Sequence, residues 1–576
     1  MQTMTRTPIM PVTLPLSRPS ASRPSIWFGM PFALSSAVLL WACYFPLNAG
    51  GLAWIALLPL LVLVRAEIST RQALFWSWAS GMLFYLVAMQ WIRVADPRMY
   101  FSWVGLSLYC AAYFPLIIWA LRRIDRSWKL PLTLTLPIVW VPLEYLRAHL
   151  LGGYAWYFLA HSQHDYLTII QVTDLAGAYA VSFMICAVNG LLFEALCRSS
   201  AFRRLVRISA SNQQRGSWSI QAMMAVLLVT GAFLYGRWRL SQDQFPEGPT
   251  VALLQSNIDQ RLKMRKSKND EEGLDAIDQM HKHMRQLLDQ AKTENANIDL
   301  MVWPETSWPN EWVEADKNVL PSAISDNWLK YRDFNRRLIA GMASRSNTNV
   351  LLGLNVETML PGNKSQRSNT AMLFLKDGQP VDRYDKMHCV PFGEYVPMRK
   401  TFPWMQMFAP YDHDYSLTPG EHYTRFPLPT KTGNYTFGVI ICYEDSDPLL
   451  ARHYSLADGD QPPVDFLVNI SNDGWFNGTS EHEQHLAICR FRAIEARRSV
   501  VRAVNMGVSA VIDGNGRMVA LPGDSWHNSK KVADALVAPV PIDSRTSVYA
   551  RAGDWLPSGC AVVACLGLLL TFWRRK

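Results

Sequence analysis

Apolar residues fall into two regimes along this chain. Before about residue 240, and again at the C-terminal end, they form long runs; between these regions the runs are short and alternate with polar stretches. A helix needs about 20 predominantly apolar residues to cross the hydrocarbon of a bilayer. Ile26–Phe45, Gly51–Val64, Ala73–Ile92, Tyr100–Leu121, Leu130–Leu150, Val172–Leu196, Ile220–Trp238 and Leu556–Trp573 are therefore expected spans, about eight in all. Gly51–Val64 is the short one. Ile26–Phe45 lacks a convincing signal-peptidase site and reads as a retained first span.

The middle of the chain has a different period. Thr250–Leu254, Ile298–Trp303, Val350–Leu354, Asn369–Leu375, Thr436–Ile441 and Val464–Ile470 read as strands, and Leu274–Lys292, Ser325–Ser344 and Ser480–Arg498 as helices. In the last of these, Leu486, Cys489 and Ala493 mark an apolar side. Such alternation predicts a layered α/β domain. The chain then divides into a flexible basic tail (1–25), a transmembrane bundle of about seven spans (26–239), a layered α/β domain (240–555), and a final span with a basic end (556–576).

Composition agrees with the split: 49% of residues are hydrophobic and only 18% charged. The net charge of +9 does not argue for nucleic acid, because much of the excess sits in loops between apolar runs, such as Leu121–Lys129 and Arg198–Arg215. Eight spans place both termini and these arginines on one side, which the positive-inside rule makes the cytoplasm. Six of the nine cysteines lie in or beside apolar runs, and no CxxC pair is present. Glu144 and Arg147, three apart at the end of the fifth run, are spaced to pair on one helix face.

Three stretches carry chemistry. YTFGVIICYEDSDP (Tyr435–Pro448) reads as a buried strand that ends in Cys442, where the chain must turn. VWPET sets Glu305, and YDKMHCVPFGEYVP sets Lys386 and Glu394, just after other strand-like runs. A carboxylate, an ammonium and a thiol suffice for acyl transfer through a thioester. A resting thiol is only a few per cent thiolate at neutral pH, so the site needs a base and a cation. Glu305 suits the first role and Lys386 the second. Taken singly, each has a plain structural reading: a buried small hydrophobe, a turn carboxylate, a solvated lysine.

In order and local context, Glu305, Lys386 and Cys442 resemble the Glu-Lys-Cys triad of the nitrilase (carbon–nitrogen hydrolase) superfamily. With WPET, KMHCVPFGEYVP, ICYED, SNDGWF and YARAGDW between flanking apolar runs, the chain is similar to that superfamily's membrane-embedded apolipoprotein N-acyltransferase family. The resemblance implies a polytopic α-helical membrane protein carrying an α-β-β-α sandwich, located in the bacterial inner membrane with its catalytic domain outside the cytoplasm. It implies a phospholipid acyl donor and a diacylated apolipoprotein acceptor, with no cofactor, metal or nucleic acid. It makes Glu394, Tyr443 and Glu444 supporting residues, the Tyr443 N–H part of an oxyanion hole, and Asn472 and Trp475 of SNDGWF shapers of the substrate pocket. TFPWMQMFAPY (Thr401–Tyr411) is then suited to be a membrane-facing lid.

The alternatives are a membrane-tethered amidase or nitrilase and a non-catalytic lipid- or lipoprotein-binding scaffold. His482 and His485 in EHEQH do not form HExxH and read as a solvated helix start. Cys389, Asn505-Met506-Gly507 and the long basic tail depart from the family pattern without touching the triad.

Overall fold

A computed structural model of the protein describes residues 25–209, 216–265, 270–362, 364–409 and 414–573. The expected tail and the basic residues after Trp573 lie outside the described residues, as does part of the Arg198–Arg215 loop.

Each expected span coincides with helical structure. Met30–Ala42, Thr70–Ala88, Met99–Ala111, Tyr113–Trp128, Leu132–His149, Tyr179–Leu196, Trp218–Leu240 and Trp555–Trp573 are helices. Among the described residues, four segments are long and apolar enough to cross a membrane: Met99–Trp128, Tyr179–Leu196, Trp218–Leu240 and Trp555–Trp573. The protein is a polytopic helical membrane protein. Trp218–Leu240 and Trp555–Trp573 turn Met223, Leu227, Leu234, Val562, Leu566 and Leu570 outward, as helices at the lipid-facing rim do. Tyr179–Leu196 instead runs through the interior, and its Gly190 meets the Leu132 backbone where any Cβ would collide.

The second expected span is a correction. Gly50–Trp54 is a 3₁₀ turn, and only Leu58–Arg65 is α-helical. Eight residues reach about 12 Å, far short of a hydrocarbon core of about 30 Å. This helix is wrapped by its neighbours, with Leu60 to Arg65 all buried. Arg65 at its end is paired with Asp125 and Glu194, at 3.1 and 2.6 Å.

Glu144 and Arg147 also differ from expectation, because no ion pair joins them. Glu144 Oε1 accepts from the Leu159 N–H (3.0 Å). Arg147 Nη1 donates to the carbonyls of Tyr154 and Trp156 (2.9 and 2.8 Å). Both side chains spend their polarity on the non-helical backbone of 154–159, which would otherwise be unsatisfied in a dry interior.

The middle of the chain folds into two sheets. One has seven strands: β1 (Glu247–Gln255), β2 (Leu300–Val302), β3 (Trp312–Ala315), β4 (Asn349–Leu360), β5 (Lys364–Phe374), β6 (Pro380–Asp385) and β13 (Asp534–Pro541), in the order β13-β1-β2-β4-β5-β6 with β3 beside β4. The other has six: β7 (Arg425–Pro429), β8 (Asn434–Ile441), β9 (Phe466–Asn472), β10 (Ser499–Asn505), β11 (Ala510–Ile512) and β12 (Met518–Ala520), in the order β12-β11-β10-β9-β8-β7. β1, β2 and β4 run parallel, as do β8, β9 and β10; antiparallel strands flank both sets.

Side-chain alternation along the strands builds the layers. Val251, Leu253, Val302, Val439, Ile441 and Val468 meet between the sheets. Ala252, Leu254 and Met301 face the helices Glu271–Glu294 and Asp326–Ser346. Ile440 and Leu467 face Leu486, Cys489 and Ala493 of the helix Glu481–Ala496. The result is the expected α-β-β-α sandwich.

Every residue of Glu481–Ala496 is buried. Its second apolar side, Ile488, Phe491 and Ile494, packs into the core of the membrane bundle. The helix is therefore shared by both halves. Polar contacts close the same seam: Ala178 N–H donates to Glu495 Oε1 (2.8 Å), and Arg490 donates to the His164 carbonyl (2.6 Å). Just beyond the helix, Arg497 grips Asp174 (2.6 Å), which Arg239 also contacts (2.8 Å). Truncating a buried ion-pair partner strands a charge, at a cost of about 3–5 kcal/mol. Arg497→Ala is expected to lower the thermal unfolding midpoint of the detergent-solubilised protein by several degrees, whereas the exposed Lys376→Ala should leave it in place.

Candidate active site

Three strand ends converge. Glu305 follows β2 in a turn laid directly on β4, where a Cβ at Gly353 would fall 2.2 Å from the Pro304 carbonyl and 2.7 Å from Glu305 Cα. Glycine is required there by close approach. Lys386 follows β6, its N–H bonded to the carbonyl of Asn369 on β5 (2.8 Å). Cys442 follows β8 with φ +53°, a left-handed backbone that a side-chain-bearing residue adopts at some cost. The chain turns abruptly there into a 3₁₀ segment, Cys442–Ser446, and leaves Cys442 half-buried while Glu305 and Lys386 are buried.

The carboxylates meet over one ammonium. Lys386 Nζ donates to Glu394 Oε1 (2.8 Å) and Glu305 Oε1 (3.3 Å). Asn369 Nδ2 donates to the same two oxygens, at 3.1 and 2.6 Å. Glu305 Oε2 accepts the Asn472 N–H (2.9 Å), and Glu394 Oε2 accepts the Val390 N–H (2.7 Å). Burial works against the Lys386 charge, but Glu394 and Glu305 outweigh it and hold the ammonium well above the ordinary lysine range. Burial pushes the Cys442 thiol up to about 12, reinforced by Glu305 and opposed by Lys386 and His485. The resting site therefore pairs a neutral thiol with a fixed cation.

The supporting residues divide by direction. Glu444 points back under the turn. Its carboxylate accepts the N–H groups of Met387, His388 and Ile441 (2.7, 2.9 and 2.6 Å) and the Tyr384 hydroxyl (3.0 Å). It thereby ties the Lys386 loop to the Cys442 turn; burial pushes it up to about 7 against those donors. Tyr443 faces the membrane bundle, its ring parallel to Trp156 (centroids 6.4 Å apart). Asn472 is buried, its amide joined to Gln260 (3.0 Å) and Asn505 (2.8 Å), so its side chain braces the loop instead of facing substrate space. Trp475 is half-buried in the Asp473–Phe476 turn. The next residue, Phe476, meets Trp91 of the bundle edge-on at 4.8 Å.

His482 and His485 are not solvated; both are buried. Their helix was expected to leave its polar side in water, but the membrane bundle covers that side. Asp473, Glu481 and His485 each bring one ligand atom within 4.8 Å of the others, close enough for a cation. Both His485 nitrogens nevertheless face carboxylates, Nε2 to Asp445 (2.9 Å) and Nδ1 to Asp473 (3.2 Å). Carboxylates only accept hydrogen bonds, so both nitrogens carry protons and neither offers a lone pair to a metal.

Residues 36–191 match the apolipoprotein N-acyltransferase N-terminal domain, and residues 250–543 match the carbon-nitrogen hydrolase family. The chain belongs to the carbon–nitrogen hydrolase family. The pairing of these two regions places it among apolipoprotein N-acyltransferases. Relatives of that name include proteins of Geobacter metallireducens (29% identical, covering 94% of this chain and 95% of that one) and Rhodopirellula baltica (28%, 94% and 97%). Another, from Chlorobaculum tepidum, is 27% identical over 91% of this chain and 92% of its own length. Among solved structures, Saccharomyces cerevisiae Nit3, a nitrilase-superfamily member, aligns with a TM-score of 0.34 at 18% identity, covering 54% of this chain and 96% of that one.

Two residues of this candidate site carry little local signal in the sequence. Asn369 was read only as the start of a strand, though an asparagine within an apolar strand is itself a signal of a buried polar job. Trp156 lies between the fifth and sixth expected spans, and nothing local ties it to Tyr443. Because one Asn369 amide orients both carboxylates, Asn369→Ala is expected to slow acyl-enzyme formation roughly hundredfold by misplacing them, with little change in thermal midpoint, as read by single-turnover mass spectrometry.

Proposed function

We propose that this membrane enzyme takes an acyl chain from a phospholipid onto Cys442 and passes it to the free N-terminal amine of a diacylglyceryl-cysteine lipoprotein. The observation that carries the reading is the Lys386 ammonium held between Glu305 and Glu394 in front of a thiol on a strained turn. In the first half-reaction the Cys442 sulfur attacks the ester carbonyl while Glu305 takes its proton. Negative charge on the carbonyl oxygen is met by Lys386 and the N–H of Tyr443. The carbon–oxygen bond then breaks, Glu305 returns the proton to the departing alkoxide, and a lysophospholipid leaves. In the second half-reaction the acceptor amine attacks the thioester, loses its proton to Glu305, and expels the Cys442 thiolate to form an amide; Glu305 then passes that proton to Cys442 and restores the resting thiol.

The setting supports transfer over hydrolysis. Phe402, Trp404 and Met407 are exposed on the Pro403–Phe408 turn. Phe408 of the same turn packs on Phe101, at the start of the Met99–Ala111 helix (5.6 Å). An apolar flap anchored to a membrane helix suits lipid-borne substrates and the exclusion of water from a thioester. Pro410 and Tyr411, the end of the expected lid, lie outside the described residues.

Given phospholipid alone, the protein is expected to accumulate a hydroxylamine-sensitive acyl group. A diacylated lipopeptide with a free amine should discharge it, and an N-acetylated one should not. Free fatty acid as the main product would instead establish the tethered hydrolase. Cys442→Ala should abolish the acyl-enzyme. Cys389→Ala and Cys489→Ala should retain it, since neither thiol stands on the left-handed turn after β8 and Cys489 packs instead into the core between its helix and the second sheet.

We further infer an inner-membrane location with the sandwich on the outer face, from the arginines that precede the span Trp218–Leu240 and those that follow Trp573, which bracket the sandwich with one span on each side. A reporter fused after Trp238 should be active outside the cytoplasm and one at Lys576 inside; the reverse pattern would overturn the orientation.

A further inference from the structure

Behind the nucleophile turn lies a closed ring of four charges. Asp445, in the turn itself, contacts His485 Nε2 through Oδ1 (2.9 Å) and Arg502 Nη1 through Oδ2 (3.1 Å). Asp473, in the turn after β9, contacts His485 Nδ1 through Oδ1 (3.2 Å) and Arg502 Nη2 through Oδ2 (3.2 Å). All four side chains are essentially inaccessible. Such a set survives burial only when its charges balance and its hydrogen bonds are complete. Arg502 donates to both aspartates, so two carboxylates face one guanidinium, and His485, in contact with the same two carboxylates, supplies the second positive charge. Its Nε2 also lies 3.4 Å from the Cys442 carbonyl oxygen.

We propose that His485 is a fixed-charge positioning residue: a permanently protonated imidazolium that holds the Cys442 turn in its left-handed form and makes the Cys442 thiolate easier to form. This rests on the reading of Cys442 as the nucleophile. The turns after β8 and β9, the middle of β10 and the shared helix meet at the ring, so one cation ties the Cys442 turn to its neighbouring elements. Around the imidazole, Asp445 faces from the nucleophile turn, Asp473 from the next turn and Arg502 from β10. Glu481 faces Nδ1 from the imidazole's own helix (3.3 Å), and Cys489 follows one turn on. Burial and the Asp473 charge beside it push the Glu481 carboxyl upward, which favours its neutral form and a balanced ring. The opposite face is closed by Trp156 of the membrane bundle, tilted at 5.3 Å, so no water replaces the lost solvation.

The charge can be removed from either side, and the two removals have opposite signs. His485→Gln leaves the ring net negative beside Cys442, which disfavours thiolate. The double variant Asp473→Asn, Glu481→Gln leaves it net positive, which favours thiolate. The readout is the rate of Cys442 carboxamidomethylation by iodoacetamide, followed on the Cys442 peptide of the full-length detergent-solubilised protein from about pH 6 to 9. In that range the rate tracks the thiolate fraction. A neighbouring charge of this kind is worth about one pH unit. His485→Gln should therefore react about tenfold more slowly than wild type at each pH, and the double variant about tenfold faster.

Shifts in the same direction in both variants, or in neither, would overturn the proposal, because loosened packing has no sign. If His485→Gln lacks a thermal transition, the double variant decides alone: an unchanged or slower rate refutes the charge. Absence of a phospholipid-derived thioester on Cys442 would refute the nucleophile assignment instead, and the alkylation comparison would stand apart from it.

Discussion

One helix with two buried sides constrains everything else. Glu481–Ala496 packs Leu486, Cys489 and Ala493 on the second sheet and Ile488, Phe491 and Ile494 on the membrane bundle. A helix bearing EHEQH would ordinarily turn that end to water. Here there is no water to turn to, so each polar group needs a protein partner. Gln484 shows the consequence, accepting from Trp156 Nε1 (2.9 Å) and donating to the Phe45 carbonyl (3.0 Å). The two halves thus share one core, with their relative placement set by hydrogen bonds that admit little slip.

That placement reaches the nucleophile by a short path. Arg147, deep in the bundle, fixes the carbonyls of Tyr154 and Trp156. Trp156 in turn lies flat against Tyr443, the residue after Cys442, and tilts over His485. A soluble sandwich of the same topology would expose this face of the turn. The membrane bundle therefore acts as one wall of the site as well as an anchor, and a left-handed cysteine needs such a wall, because local strain persists only where its surroundings over-determine it.

Much of this was legible in the sequence, for reasons that differ by element. β1, β4 and β8 were readable because their apolar residues run with little interruption, as buried parallel strands do, and β9 because Phe466-Leu467-Val468 precedes its one break at Asn469. β10 was missed because Arg502 interrupts its pattern, and that arginine belongs to the buried ring, a long-range contact with no local signature. β3, β11 and β12 are three or four residues long and carry too little period to register. The short second helix was taken for a span because hydropathy reports burial and does not say whether lipid or protein does the burying. The triad residues stood out because each ends a strand. Asn369 and His485 did not, since their meaning depends on partners tens or hundreds of residues away.

The same long-range logic explains why so many charges are buried beside a thiol that is itself neutral at rest. Cys442 is desolvated, which opposes ionisation, and a fully dry thiol would be inert. Lys386 on the open side and His485 beneath the turn offset that penalty without admitting water, because each is paired with carboxylates that hold it in place. The pairing also limits the gain, since every cation brings an anion with it. What remains is a difference of position: in the proposed reaction Lys386, held by Glu305 and Glu394, meets the charge that develops on the carbonyl oxygen. Preorganised charge of this kind costs nothing to reorient when the ester arrives. It can be assembled only in a protein large enough to bury both the site and the counter-charges, and here the membrane bundle supplies that bulk.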